Sequence, residues 1–152
     1  MLEIGQPAPP FTLNDNNEVP VNLSEFRGKT VVLFFYPRAD TPGCTREACS
    51  FRDTLQSFDA NTVIFGISPD TVTDQGIFAD KFDLPYKLLA DDDHAIAEAY
   101  GVWVEKNNYG KKYMGVDRTT FIIAPDGTIQ HIFKKVKPDD HARQVLNYLQ
   151  TL

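Results

Sequence analysis

"TVVLFFYPRADTPGC" spans residues 30–44. Residues 30–36 form a continuous apolar run rich in β-branched and aromatic side chains. That is the pattern of a central strand buried on both faces of a sheet. Pro37 ends the run. Arg38, Ala39 and Asp40 read as a turn, Thr41 as a helix N-cap and Pro42 as the first helical residue, where its missing N–H costs nothing. Beyond it, Ala48, Phe51, Leu55 and Phe58 recur at helical spacing and predict a helix from Thr45 to about Phe58. A buried strand feeding a helix through a short turn is the start of an α/β unit.

The rest of the chain extends the pattern. "TVIFGIS" (62–68) and "YKLLA" (86–90) read as further strands. Residues 71–82 read as a helix with Ile77, Phe78 and Phe82 on one side, and 92–101 as a short helix closed by Gly101. "RTTFIIA" (118–124) and "TIQHIFK" (128–134) flank "PDG", a hairpin signal. Residues 138–152 read as a final helix with Pro138 near its start. Residues 11–13 and 19–23 flank "NDNNE", which predicts an N-terminal hairpin. The order is hairpin, β, α, β, α, β, α, β, β, α. This predicts an α/β fold, a mixed central sheet flanked by helices, with a βαβ unit followed by ββα in the thioredoxin-like arrangement. Such a fold hosts many functions and does not choose among them.

The chain has 152 residues, which fits one domain over 1–152 with a core that needs no staples. The formal net charge is −6 with no basic stripe, which argues against nucleic acid as a partner. No apolar run approaches the ~20 residues that span a bilayer, so no membrane association is expected. The N-terminus lacks a basic start and an apolar core of signal-peptide length, and a cytoplasmic location is expected. Cys44 and Cys49 are the only cysteines. In that compartment a disulfide is usually transient and catalytic or redox-sensing.

Cys44 falls in the first turn of the predicted helix, where free N–H groups and the positive end of the dipole favour thiolate over thiol. It lies beyond the carboxyl end of a central strand, where open α/β sheets place their chemistry. Gly43 allows another group to approach the backbone closely. A metal site is not expected. His94, His131 and His141 are scattered, and the cysteine spacing does not match C-x₂-C. "DDD" (91–93) reads as a helix start, since the rest of a calcium loop is missing. There is no phosphate loop or dinucleotide fingerprint. Trp103 and the nearby tyrosines read as packing, or as a wall beside the site. Three classes fit the thiol pair: a peroxide-reducing enzyme, a thioredoxin-like disulfide reductase, and a non-enzymatic redox sensor. The reductases usually carry C-x-x-C, which this chain lacks.

"FYPRADTPGCTREACSFRD" (35–53) resembles the active-site segment of the peroxiredoxins, whose signature is matched by Pro37, Thr41 and Cys44. "GVDRTTFIIAPDGTI" (115–129) resembles a second block of that family, with Arg118 at the position of its active-site arginine. "YGVWVEKNNYGKKYMG" (100–115) is also similar. The likeness covers nearly the whole chain and is greatest to the peroxiredoxin Q, or bacterioferritin comigratory protein, subfamily. Many of its members carry a second cysteine five residues after the first. The resemblance implies a thioredoxin-dependent thiol peroxidase that acts on hydroperoxides through a cysteine sulfenic acid and an intramolecular Cys44–Cys49 disulfide. It implies no cofactor, because the sulfur carries the electrons, and it leans toward a monomer. Arg118 is then expected to stabilise the thiolate and the charge growing on the leaving oxygen. Thr41 is expected to accept from the thiol and donate to the peroxide, and Pro37 to shield the sulfur. Glu47 matches the subfamily pattern and is expected either to position an arginine or to sit on a solvated helix face.

Overall fold

The computed structural model describes residues 2–152. A short antiparallel hairpin, β1 (Thr12–Asn14) and β2 (Pro20–Asn22), leads through a 3₁₀ turn into β3 (Thr30–Phe35). Then follow α1 (Pro42–Thr54), β4 (Thr62–Ser68), α2 (Val72–Lys81), β5 (Lys87–Ala90) and α3 (Ala95–Ala99). The second half has β6 (Trp103–Asn108), β7 (Lys111–Val116), β8 (Thr119–Ile123), β9 (Ile129–Phe133) and α4 (His141–Gln150).

The main sheet has the order β5-β4-β3-β8-β9. β3 and β5 both run parallel to β4, whereas β8 pairs antiparallel with β3 and β9. The expected mixed sheet is therefore present. β3 lies at its centre and its side chains alternate between two cores. Val31, Leu33 and Phe35 pack with Phe11, Leu23, Ala97, Tyr100 and Phe121 on one face. Val32, Phe34 and Tyr36 pack with Ala48, Phe51, Phe78 and Val145 on the other, under α1, α2 and α4. Burial on both faces is why this strand shows no polar alternation. Phe34 and Tyr36 fit because β4 carries Gly66 opposite them; a Cβ there would stand 2.8 Å from Phe34 and 3.1 Å from Tyr36. Among the described residues no helix is long and apolar enough to cross a membrane.

Four readings need correction. β6 and β7 form a separate antiparallel hairpin that the element order predicted from sequence omits. It turns at Tyr109-Gly110, both at positive φ (53° and 82°), as a two-residue hairpin loop requires. Tyr109 and Tyr113 on this hairpin are exposed and do not pack, whereas Tyr100 is buried and Trp103 packs against the same core. α1 ends at Thr54, and Leu55–Ser57 tighten into a 3₁₀ turn. α2 buries Gln75, Phe78 and Ala79 and exposes Ile77, which lies off the packed face. The "DDD" segment does start a helix: the buried Asp91 accepts from the N–H groups of Ile96 (3.1 Å) and Ala97 (2.8 Å).

Candidate active site

The turn out of β3 decides where Cys44 lies. Asp40 adopts a left-handed backbone (φ 60°), which swings the chain into α1. Thr41 is the N-cap by position, but its side chain makes no capping bond. Its hydroxyl donates instead to the Arg38 carbonyl at 2.9 Å. The N–H groups of Gly43 and Cys44 consequently have no partner among the described residues. They are open donors at the positive end of a helix, a ready site for an oxygen carrying negative charge.

Cys44 is buried, with 1% of its surface exposed. Arg118 immediately precedes β8, the antiparallel neighbour of β3, and its main-chain oxygen accepts from Val136 N–H at 3.0 Å. This places the guanidinium over the start of α1. Nη2 donates to Cys44 Sγ at 3.3 Å and Nη1 donates to Glu47 Oε1 at 2.6 Å. Gly43 leaves room for this approach: a Cβ there would make a tight 3.3 Å contact with Arg118 Nη2. Arg118 is mostly buried, so it is not a surface cation. Burial works against its charge, but Glu47 and Cys44 outweigh burial and hold the guanidinium above its ordinary value.

Glu47 does not sit on a solvated helix face: it is fully buried on α1, one turn after Cys44. Oε1 is engaged by Arg118, while Oε2 has no partner among the described residues. Burial pushes this carboxyl up to about 7, against the pull of Arg118. An ordinary carboxyl in the unfolded chain ionises near 4.5. The unfolded form therefore loses its proton first, and this group's contribution to stability falls as pH rises from about 4.5 to about 7. Glu47→Gln removes that loss. In urea titrations of the reduced protein at pH 5 and pH 8, the variant should gain on the parent at the higher pH by on the order of 2 kcal/mol. A stability difference independent of pH would contradict a raised Glu47.

Pro37 and Thr41 lie in the turn that leads to Cys44; Pro37 is half-buried, and no Thr41–Cys44 hydrogen bond forms among the described residues. Cys49 is half-buried on α1 and opens into a groove lined by Arg46, Asp53, Asp139 and Arg143. Burial is the main influence raising its thiol above the ordinary value. Both cysteines are free thiols. Sequence reasoning missed Lys106, which β6 brings near Cys44, Arg118 and Asp117, and whose ammonium is lowered chiefly by burial. Its position depends on the unread hairpin.

A thiol, an arginine fork and two open N–H groups thus converge at the end of a central strand. Residues 4–132 match the model of the AhpC/TSA family. Peroxiredoxin Bcp of Bacillus subtilis is 46% identical over 152 residues, covering 99% of this chain and 97% of its own. The chain is a peroxiredoxin of the AhpC/TSA family. Escherichia coli K12 peroxiredoxin Bcp is 43% identical over 150 residues, covering 98% of this chain and 96% of its own. Among solved peroxiredoxins, a cysteine-to-serine variant of Xylella fastidiosa PrxQ superposes with a TM-score of 0.94 at 30% identity, covering 99% of this chain and 97% of that one. A structure of the Xanthomonas campestris bacterioferritin comigratory protein, determined to explain its alkyl peroxide reduction, superposes with a TM-score of 0.88 at 34% identity, covering the same shares. The subfamily resemblance and the thioredoxin-like fold are both upheld.

Proposed function

We propose that Cys44 is the nucleophile of a thiol-dependent peroxidase that reduces hydrogen peroxide and organic hydroperoxides. The observation that carries this reading is the Arg118 guanidinium spanning Cys44 Sγ and Glu47 at the open start of α1. The thiolate attacks the terminal peroxide oxygen, the O–O bond breaks, and the other oxygen leaves as water or alcohol once protonated. Arg118 and the N–H groups of Gly43 and Cys44 stabilise the negative charge on the oxygens. The Thr41 hydroxyl donates its proton to the Arg38 carbonyl, so toward a peroxide it accepts, whereas the resemblance implied donation. Pro37 limits water at the sulfur.

Cys49 then resolves the sulfenic acid on Cys44. In an intact helix, residues five apart have Cα atoms roughly 8–9 Å apart. A disulfide needs about 4.4–6.8 Å. The first turns of α1 therefore unwind before the thiol of Cys49 displaces water from the sulfenic acid. A dithiol protein of the thioredoxin type reduces the disulfide. The chain works as one domain over 1–152, as a cytoplasmic monomer.

Steady-state peroxide consumption with thioredoxin as donor tests this, using hydrogen peroxide and an alkyl hydroperoxide in parallel. Many turnovers per chain are expected. Consumption of about one equivalent would mark a sensor. Reduction of an insulin-like disulfide with peroxide left untouched would mark a disulfide reductase.

A further inference from the structure

The turn that presents Cys44 is tied down from outside. Ala39 donates its N–H to Asp70 Oδ2 at 2.8 Å, and Asp40 pairs with Lys81 of α2 at 2.9 Å. The Lys81 pair is solvent-exposed and therefore weak. The Asp70 tie is different, because its own support is buried. Ser68 Oγ donates to Asp70 Oδ2 at 2.6 Å, and Gln75 Nε2 donates to Ser68 Oγ and to the Leu89 carbonyl, each at 2.8 Å. The Tyr36 hydroxyl donates to Gln75 Oε1 at 2.5 Å. Tyr36, Ser68 and Gln75 are all buried. The network joins the residue after β3 to β4, α2 and β5 and leaves none of these side-chain groups unpaired. Such a network has one low-energy arrangement. Asp70 is therefore a fixed anchor, and Ala39 hangs from it just before the left-handed Asp40.

The later part of α1 is clamped separately. Tyr86 donates to the Ala48 carbonyl at 2.6 Å, and Arg52 Nη1 donates to the Phe82 carbonyl at 2.7 Å. Between these clamps and Asp70 lies the stretch that unwinds when Cys49 reaches Cys44. A backbone N–H held by a carboxylate at the upstream edge of that stretch favours the helical form. It must yield, or hold the chain short, when the helix opens.

We propose that Asp70 is a positioning residue. Its bond to Ala39 N–H holds Cys44 in the peroxide-reducing geometry and restrains disulfide formation with Cys49. This rests on the reading of Cys44 and Cys49 given above. In the restrained step the Cys49 sulfur bonds to the Cys44 sulfur, the S–O bond breaks, and the oxygen leaves as water with the thiol proton. Cys49 supplies the reducing electrons, and no other reactant is needed. The two half-reactions depend on opposite sides of one equilibrium, so weakening Asp70 has opposite effects on them.

Single-turnover mixing with peroxide, quenched and read by mass spectrometry, separates the two steps. Asp70→Ala should slow sulfenic acid formation about tenfold, the effect of losing one hydrogen bond to a charged group. It should speed conversion of the sulfenic acid to disulfide several-fold, and less sulfinic acid should accumulate in excess peroxide. Asp70→Asn, whose amide oxygen can accept from the same two donors, should restore both rates toward the parent. Unchanged rates, or both steps slowing together in a variant with native circular dichroism, would overturn the proposal. If Asp70→Ala loses its fold, Ser68→Ala, which removes one donor to Asp70, must show the same opposed pattern more weakly; otherwise the proposal fails. Absence of any sulfenic acid on Cys44 in the parent protein would instead refute the underlying reading. The latch is then judged by amide exchange over residues 37–44 of the reduced protein, which Asp70→Ala should accelerate and which no change would contradict.

Discussion

Cys44→Ser should abolish peroxide reduction with any reductant. A serine hydroxyl at this position keeps the cap, the turn and the approach of Arg118. It lacks a sulfur that can attack a peroxide and carry the transferred oxygen as a sulfenic acid. Cys49 cannot substitute, because burial disfavours its thiolate and Arg118 bonds Cys44 instead. Cys49→Ser should behave differently. One equivalent of peroxide should still yield one sulfenic acid per chain, and a small dithiol should support slow turnover. Peroxide loss is followed directly in both variants. Thioredoxin-driven turnover by Cys44→Ser at the parent rate would remove Cys44 from the mechanism.

Arg118→Lys should lower the second-order rate with peroxide at least tenfold, about 1.4 kcal/mol of barrier. The charge remains, but the planar fork is lost, and with it simultaneous donation to Cys44 Sγ (3.3 Å) and Glu47 Oε1 (2.6 Å). A lysine that follows the buried Glu47 carboxylate leaves the sulfur unpaired, and one that follows the sulfur leaves Glu47 buried and alone. Either arrangement weakens stabilisation of the developing oxygen charge. Stopped-flow measurement of the peroxide step alone isolates this effect from resolution. A rate within twofold of the parent would show that the fork is not used.

Much of this site was legible because its parts are local. The buried-strand pattern of residues 30–36, Pro37, the N-cap position of Thr41 and the helix phase around Cys44 all follow from neighbours in sequence. Arg118 is different. It stands 74 residues from Cys44, and only family resemblance pointed to it. What periodicity could not reveal was polar burial. Gln75 is fully buried while Ile77 is exposed, because Tyr36, Ser68 and the Leu89 carbonyl satisfy the amide inside the protein. Those partners come from three separate strands or strand ends. The β6–β7 hairpin escaped notice for the opposite reason. Its strands are largely solvent-facing and bury no continuous apolar face, so only the Tyr109-Gly110 turn marks it. Thr41 shows a subtler limit. Its position as N-cap was readable, but its hydroxyl turns to Arg38 and leaves the helix donors open.

The central claim is that Cys44 reacts with peroxide inside an intact helix and meets Cys49 only after that helix unwinds. Amide hydrogen exchange over residues 42–52 tests it most directly, with reduced protein compared against protein carrying a confirmed Cys44–Cys49 disulfide. Local opening of a helix end is reported by loss of protection in the contiguous segment. Slow exchange is expected in the reduced protein and much faster exchange in the oxidised one, with little change in β3 and β4. Equal protection in both states would contradict the unwinding mechanism.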